Sequence, residues 1–334
     1  MSDPGTRAAD RGLISLERRL RRVYAEAQKE LQSAIAKFNL SFAREDNVMR
    51  KKLKSKEITE EEYQQWLRNK VYRGKRYDDL VNHCTEVLET SNRQALNIIR
   101  GTQIDVFAEN ATYQGYELES DLEADYGFRV YSRETVGTLL KDQPELLPRK
   151  VINGKKDRAW NKNNIDRIIT KNIIQGNGIE KIADSLSKEL AIQNDSAATR
   201  YARTAMTSAQ NAGRMAMLKQ AEKEGIKSKK KWLATLDDKT RDAHAGLDGQ
   251  TAELDKPFHA DLGKGKNGDI MFPGDPNADP ANVYNCRCTL VYELEGHPLK
   301  GQRRAYYYDK NGIRRSELID GDITYSEWKK MKER

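Results

Sequence analysis

Two cysteines and two histidines in the last third of the chain are the residue types that most often bind transition metals. Cys286 and Cys288 are separated by one residue, and His244 and His259 lie upstream of them. Thiolate and imidazole groups are the usual ligands of a tetrahedral Zn²⁺ ion. These four residues therefore predict, as one of two interpretations, a structural Cys2His2 zinc site.

The second interpretation gives these residues no metal. The two thiols then fill a small core, and His244 is a buried histidine bonded to a backbone or acidic group. A gap of one residue between thiols is tighter than the usual zinc-finger spacing, and His259 lies in a polar loop. The chain requires no cofactor in this interpretation, and a structural zinc ion remains the alternative.

Alternation over residues 285–294 predicts a strand in which both sulfurs point the same way. Successive side chains of a strand lie on opposite faces. Cys286, Cys288 and Leu290 should therefore share a buried face, with Arg287 on the opposite one.

The residues upstream of this strand predict a short helix that begins after an acidic cap. If 238–247 is helical, Thr240, Arg241 and His244 share a face, because His244 follows the other two at intervals of four and three positions. Arg241 would then pair with Asp237 or Asp248.

The same region lacks a complete catalytic arrangement at the level of sequence. The cysteines have no nucleophile elbow or glycine motif for an oxyanion hole, which argues against a hydrolase. The carboxylates do not form a recognisable two-metal cluster, which argues against a nuclease. We therefore expect no enzyme. A metal-dependent nuclease and a general DNA-binding protein are the alternatives.

The elements that must position these residues are mostly helical. Apolar residues recur at intervals of three and four over 13–38, which predicts a long amphipathic helix with no evident partner. Helical patterns follow over 61–110 and over 163–223, with Asp195 or Ser196 as the cap of a new helix. The segment 114–162 predicts a short strand or an extended insert.

Short strands are predicted over 231–236, 250–254 and 285–294. The fold class is therefore α+β, with a long N-terminal helical arm, a helical middle and a small mixed C-terminal domain of short strands and loops. The predicted parts are a helical arm, an irregular insert, the mixed domain and a C-terminal tail, over 1–112, 113–162, 163–295 and 296–334.

The composition limits the classes of protein to which the chain can belong. Charged residues make up 33% and mean hydropathy is −0.87, which leaves little apolar material for a large core, yet 37% hydrophobic residues exceed what a disordered chain carries. Apolar runs of membrane-spanning or signal-peptide type are absent from the sequence, so we expect neither membrane insertion nor secretion. Three cysteines make no disulfide framework.

The formal net charge of +8 favours polyanionic partners. Residues 1–100 hold 21 Lys and Arg against 15 Asp and Glu, a surplus of 6. We therefore expect weak, sequence-independent and salt-sensitive DNA binding, concentrated in the N-terminal third.

Several short motifs occur in a fixed order in the second half of the chain. Each motif alone is weakly specific, but their ordered combination is specific. The motif residues are Arg203, Thr204, Trp232, Asp237, Thr240, Arg241, His244, Asp248, Gly249, Asn285, Cys286, Arg287 and Cys288. This combination resembles the phage Mu protein F-like family of head morphogenesis proteins, over roughly residues 160–295. One departure is Ala205, where the family pattern has an acidic residue.

The resemblance implies a low-copy, non-enzymatic minor head protein of a tailed bacteriophage. Such a protein is made in the host bacterial cytoplasm and resides in the virion, inside the head near the portal. The implied partners are the portal protein, through the helical arm 1–112, the major capsid or scaffolding protein, and non-specific DNA, with no membrane. The implied role is head assembly, with DNA packaging or ejection as its finer part.

Overall fold

The structure is a computed structural model of the 334-residue chain. It describes residues 4–40, 43–72, 75–148, 154–294, 302–308 and 311–332. These residues are mainly helical, with short antiparallel strands towards the C-terminus, so the predicted α+β class is confirmed. Across the described ranges, helices long and apolar enough to cross a membrane are absent.

The helices and strands follow one another in a simple order along the chain. The helices are α1 (Pro4–Leu40), α2 (Ala43–Lys54), α3 (Glu60–Val71), α4 (Lys75–Leu122), α5 (Arg133–Asp142), α6 (Gly154–Ile174), α7 (Ile179–Lys223), α8 (Asp242–Ala245), α9 (Pro280–Val283) and α10 (Tyr325–Lys332). The strands are β1 (Ser228–Leu233), β2 (Thr251–Ala252), β3 (Phe258–His259), β4 (Asp269–Ile270), β5 (Thr289–Leu294), β6 (Gln302–Tyr308) and β7 (Arg314–Asp320).

The chain forms two compact units. The first comprises Met1–Leu16, Ile99–Arg149 and Arg200–Arg334, and the second comprises Glu17–Ile98 and Lys150–Thr199. Three long helices, α1, α4 and α7, therefore contribute residues to both units.

The second unit is a helical assembly whose core is built from the predicted amphipathic stripes. Leu20, Leu31 and Leu88 are fully buried in it, and the hydroxyl of Tyr24 donates to Asn92 Oδ1 at 2.6 Å. The predicted N-terminal helix is confirmed, but its apolar stripe is covered by the chain itself. The expectation that this stripe lacks a partner is therefore wrong, and it no longer supports portal binding.

Helix α3 begins at a capping box, as the run of acidic residues after Thr59 indicates. The Glu62 N–H donates to the Thr59 hydroxyl, and the Glu62 side chain accepts from the Thr59 N–H. The helix predicted over 61–110 is divided, because α3 ends at Val71 and α4 begins at Lys75 and continues to Leu122.

Helix α7 does not restart at Asp195 or Ser196, as the sequence suggested. Asn194, Ala198 and Ala202 are buried at intervals of four residues, so the packed stripe runs through this point and the helix stays continuous. The prediction of a strand or extended insert over 114–162 is wrong for most of that range, because α4 continues to Leu122, α5 spans Arg133–Asp142 and α6 begins at Gly154. Residues 125–132 have neither helix nor strand, so an extended segment is present there.

The first unit contains a three-stranded antiparallel sheet in the order β2-β1-β5, in which Trp232 lies opposite Leu290 and Lys231 opposite Thr251. All three predicted strands exist, but each is displaced or shorter. In particular, β5 begins at Thr289, so Cys286 and Cys288 lie immediately before the strand. Their burial still alternates as predicted, with Arg287 exposed between them.

Small residues on α7 allow this helix to pack closely on α4 in the first unit. A Cβ atom at Gly213 would lie 2.4 Å from the carbonyl oxygen of Phe107, so only glycine fits. Close packing fixes the position of the sheet-facing side of α7.

The segment predicted as a C-terminal tail is structured where it is described. β6 and β7 pair in an antiparallel manner, and Ala305, Ile319 and Trp328 pack on Leu236 in a small core. The Tyr306 N–H donates to the Leu236 carbonyl at 2.9 Å. The divisions predicted at residues 112, 162 and 295 stay predictions.

Candidate functional site

The structure brings three of the four predicted metal-ligating residues together. His244, Cys286 and Cys288 are each about 2 to 3% exposed. His244 Nδ1 lies 3.6 Å from the Cys286 sulfur and 3.5 Å from the Cys288 sulfur. Both sulfurs therefore face the same imidazole edge.

His259, the fourth predicted ligand, does not belong to this group. It lies on β3 with its side chain 73% exposed, and its Nδ1 atom is 2.6 Å from Asp269 Oδ1. Among the described residues, the cluster of close metal-ligating atoms consists of His244, Cys286 and Cys288 alone.

The other nitrogen of His244 is held by a buried amide. Nε2 lies 3.1 Å from Asn282 Oδ1, while Asn282 Nδ2 donates to the Gly268 carbonyl at 3.2 Å. Because the Gly268 carbonyl can only accept, the amide orientation is set and its oxygen faces Nε2. Nε2 therefore carries the proton of neutral His244, and the lone pair of Nδ1 points towards the sulfurs.

The ring of His244 packs on the indole of Trp232. The two rings meet edge to face with centroids 5.4 Å apart, and Trp232 makes the same contact with Phe258. Trp232 is fully buried on β1, so the sheet fixes one side of the imidazole. Packing and the Asn282 bond together leave His244 little freedom to rotate.

The two thiols have unlike environments in the metal-free chain. A hydrogen bond from the Cys288 side chain lowers the pKa of Cys286, in spite of burial. Burial raises the pKa of Cys288 well above its ordinary value, and the proximity of Cys286 raises it further.

The helix that carries His244 is shorter than predicted. α8 spans Asp242–Ala245 with Arg241 as its N-cap, so the predicted acidic cap is wrong. The predicted pairing of Arg241 with Asp237 or Asp248 is wrong, because the Arg241 guanidinium donates to the Tyr284 carbonyl.

Asp237 instead pairs with the arginine of the cysteine motif. Arg287 donates both terminal nitrogens to the Asp237 carboxylate, at 2.5 and 2.8 Å, and Asp237 is 4% exposed in this pair. The Lys239 N–H and the Thr240 hydroxyl also donate to Asp237. Burial acts to raise the pKa of Asp237, but the bonds and charge of Arg287 outweigh it and lower that pKa.

Asp248 ties the C-terminal segment to the motif region. Its carboxylate accepts from the Ala234 N–H at 2.6 Å and from Arg303 at 3.0 Å, and it accepts from the Tyr325 N–H. Next to it, Gly249 has a φ of +81°, a conformation that favours glycine, and donates to the Trp232 carbonyl. The bonds of Asp248 to Arg303 and Tyr325 explain why the segment predicted as a tail is structured.

The edge of β5 that faces away from β1 is covered by side chains of α7. Thr204, Thr207, Asn211 and Arg214 follow one another at intervals of three or four, which places them on one helix face. All four side chains bond the backbone of residues 285–290. The sequence motifs included one residue of this row, Thr204. The other three could have been found from the regular spacing of polar residues in a helix that otherwise consists largely of small residues.

The first three members of this row hold the cysteine segment. The Thr204 hydroxyl accepts from the Asn285 N–H at 3.2 Å, and the Thr207 hydroxyl donates to the Cys286 carbonyl at 2.7 Å. Asn211 donates to the Cys288 carbonyl at 3.2 Å and accepts from the Leu290 N–H at 2.8 Å.

Arg214 completes the row by donating to the Leu290 carbonyl at 3.1 Å and to Asn110 at 3.1 Å. Asn211 also donates to the Pro273 carbonyl at 2.9 Å, which joins the loop before α9 to the same helix. Asn285 has a φ of +55°, which asparagine tolerates better than most residues. The Asn-Cys-Arg-Cys motif is thus held by α7.

A basic cleft of about 1040 Å³ lies in the first unit beside this segment. Its acidic lining residues are Asp10 and Glu117, whereas its basic ones are Arg200, Arg203, Arg214, Lys239, Arg287, Arg303, Arg304 and Arg314. Arg287 and Arg303 are paired with Asp237 and Asp248. The exposed basic residues of the lining still give the cleft a positive surface. Ala205, where the family pattern has an acid, is buried.

Comparison with known proteins identifies the region that holds these features. Residues 163–291 match the family described as Phage Mu protein F like protein. The chain carries a phage Mu protein F-like domain. The family resemblance inferred from the motifs is thereby confirmed.

Two known proteins are similar to the chain over very different shares of their own length. The chain is 28% identical over 330 residues to Minor head protein GP7 of Bacillus phage SPP1, which covers 97% of this chain and 94% of that protein. It is 32% identical over 133 residues to NAD(+)--arginine ADP-ribosyltransferase EFV of Enterococcus faecalis, which covers 40% of this chain but 26% of that protein. No solved structure matches the chain. The chain is thus related to a phage minor head protein over nearly its whole length.

The Asp237–Arg287 pair predicts a pH-dependent stability. Arg287→Gln should lower the free energy of unfolding by about 1 to 3 kcal/mol at pH 7, because it leaves a buried carboxylate without its counter-charge. The folded-state pKa of Asp237 is depressed, so this stabilisation is present above the unfolded-state pKa of about 3.9 and is lost as the pH falls through the folded-state value. Urea unfolding of the parent chain and of Arg287→Gln at several pH values between 7 and 3 measures this difference in the free energy of unfolding.

Arg304→Gln is the matched control, because Arg304 is exposed and donates to the hydroxyl of Ser316, a neutral group. The control should change stability by less than about 0.5 kcal/mol. An Arg287→Gln effect that is the same at pH 3 as at pH 7 would show that the pair is not the source.

Proposed function

We propose that the chain is a minor head protein that acts in head assembly beside the portal and contacts the packaged DNA through its basic cleft. The observation that carries the proposal is the match to Minor head protein GP7 of phage SPP1, which spans nearly the full length of both chains. A match of that extent includes the helical parts as well as the Mu F-like domain.

The basic cleft supports the DNA contact. Arg200, Arg203, Lys239, Arg304 and Arg314 are exposed and line one cavity in the first unit. A groove with clustered cations attracts the phosphate backbone without reading its sequence. This surface differs from the N-terminal third that the charge count favoured.

A structural role fits the chain better than catalysis. The acidic residues of the motif are committed to structural bonds, since Asp237 holds Arg287 and Asp248 holds Arg303. An ADP-ribosyltransferase is among the relatives, but the chain spans about a quarter of that protein, so its activity remains a property of that protein. We infer that the Mu F-like domain is the shared part of such proteins.

Association with the portal is tested by co-expression. The untagged chain, expressed with the tagged portal protein of the same phage, should remain on the affinity resin after nuclease treatment, because a head protein beside the portal must bind it directly. Complete loss of the chain from resin that carries assembled portal rings would contradict the proposal. A chain with Arg200, Lys239 and Arg304 of the cleft changed to glutamine should be retained as well as the parent chain.

DNA binding by the cleft is tested with the same charge-neutral triple variant. Arg200→Gln, Lys239→Gln and Arg304→Gln together should weaken binding to mixed-sequence duplex DNA at least about tenfold and reduce the slope of log K against log salt by about 2 to 3. Fluorescence anisotropy between about 50 and 200 mM salt measures both quantities.

The matched control removes three exposed lysines outside the cleft, Lys227, Lys264 and Lys266. This control variant should keep most of its affinity for DNA, because the loss of three positive charges outside the cleft should have a small effect on binding. A second variant, with Arg18, Arg19 and Arg22 of α1 changed to glutamine, tests the expectation from the charge count. If only the α1 variant lost affinity for DNA, the proposal that the cleft binds DNA would be contradicted.

A further inference from the structure

The His244, Cys286 and Cys288 group has the spacing of a metal site. In a tetrahedral zinc site, bond lengths of about 2.3 Å to sulfur and about 2.0 to 2.1 Å to nitrogen place a sulfur and a nitrogen ligand about 3.6 Å apart. The two sulfur-to-Nδ1 distances are 3.6 and 3.5 Å. The protein thus holds each sulfur at the separation from Nδ1 that a metal ion imposes, and all three atoms lie within 4.8 Å of one another.

Hydrogen bonding alone makes poorer use of this arrangement. The Asn282 amide fixes the proton of neutral His244 on Nε2, so Nδ1 offers one lone pair. One lone pair can accept from one thiol, so without a metal the other thiol bonds the neighbouring sulfur, although both sulfurs lie at nearly the same distance from Nδ1. A metal ion would be bound by all three atoms at once.

The surroundings of His244 match the usual support of a metal-binding histidine. Such a histidine donates its second N–H to an oxygen acceptor, which fixes the tautomer and the ring orientation. Here the acceptor is Asn282 Oδ1, and Trp232 packs on the ring. The two cysteines are equally fixed, because Thr207 and Asn211 bond their carbonyls.

We propose that His244 Nδ1 and the thiolates of Cys286 and Cys288 bind one zinc ion. Two thiolates and neutral imidazole are ligands that favour zinc, and two thiolate charges neutralise the ion in a buried site. Binding releases the two thiol protons, so the charge balances. His259 is not a ligand, because its exposed side chain pairs with Asp269, and the fourth position falls to a water molecule.

Metal content of the full chain, purified without a histidine tag and without added metal, tests the proposal. One zinc per chain is expected, with loss of structure in the first unit when a chelator removes it. Less than about 0.2 zinc per chain after exposure to zinc, or stoichiometric copper or iron in place of zinc, would overturn it. Cobalt exchange should add a thiolate-to-metal charge-transfer band, a readout that requires no variant.

Four variants distinguish a zinc site from a core in which the cysteines bind no metal. Cys286→Ser and Cys288→Ser should each abolish binding, whereas Cys84→Ser, which changes a buried cysteine of the second unit, should retain one zinc per chain. His259→Ala should also retain it, and equal zinc loss in His259→Ala and Cys286→Ser would overturn the assignment of ligands.

Asn282 provides a test in a chain that keeps all three ligands. Asn282→Ala should weaken zinc affinity by about 10- to 100-fold, because the histidine loses its orienting partner. Asn282→Asp keeps an oxygen acceptor for Nε2 and should recover most of that affinity. Unchanged affinity in Asn282→Ala would show that Nδ1 is not a ligand.

Discussion

A row of polar side chains on α7 holds the edge of β5, and the rest of the motif region depends on this contact. Within the part of the chain that the structure describes, β5 pairs with one strand, β1. The amide and carbonyl groups on the opposite edge would be costly to bury without partners, and Asn211 and Arg214 supply those partners at Leu290. An α-helix thus takes the place of a neighbouring strand.

This arrangement determines where the cysteines lie. The Cys286 and Cys288 carbonyls are bonded to Thr207 and Asn211, so the backbone before β5 is fixed and both sulfurs turn to the opposite side, towards His244. The close packing of Gly213 on Phe107 fixes α7 itself. The metal-site geometry is therefore a consequence of helix packing as much as of the motif.

The parts of the fold that local periodicity controls could be predicted from the sequence. The long amphipathic helices and the alternating burial around Cys286 and Cys288 follow from spacing alone. The failures concern long-range pairing. Arg241 had two acidic residues nearby in sequence, yet Asp237 bonds Arg287 and Asp248 bonds Arg303, each about 50 residues away. His259 was included by residue type, although its loop lies outside the group.

The role of α7 is tested most directly at Asn211. Asn211→Ala should lower the free energy of unfolding of the first unit by about 2 to 3 kcal/mol, because it leaves buried carbonyls and the Leu290 N–H without partners. Hydrogen exchange measured along the chain should show the Leu290 amide losing protection, while Asn163→Ala, at an exposed position of α6, leaves it protected. A Leu290 amide that stays protected in Asn211→Ala, with stability changed by less than about 0.5 kcal/mol, would contradict the account.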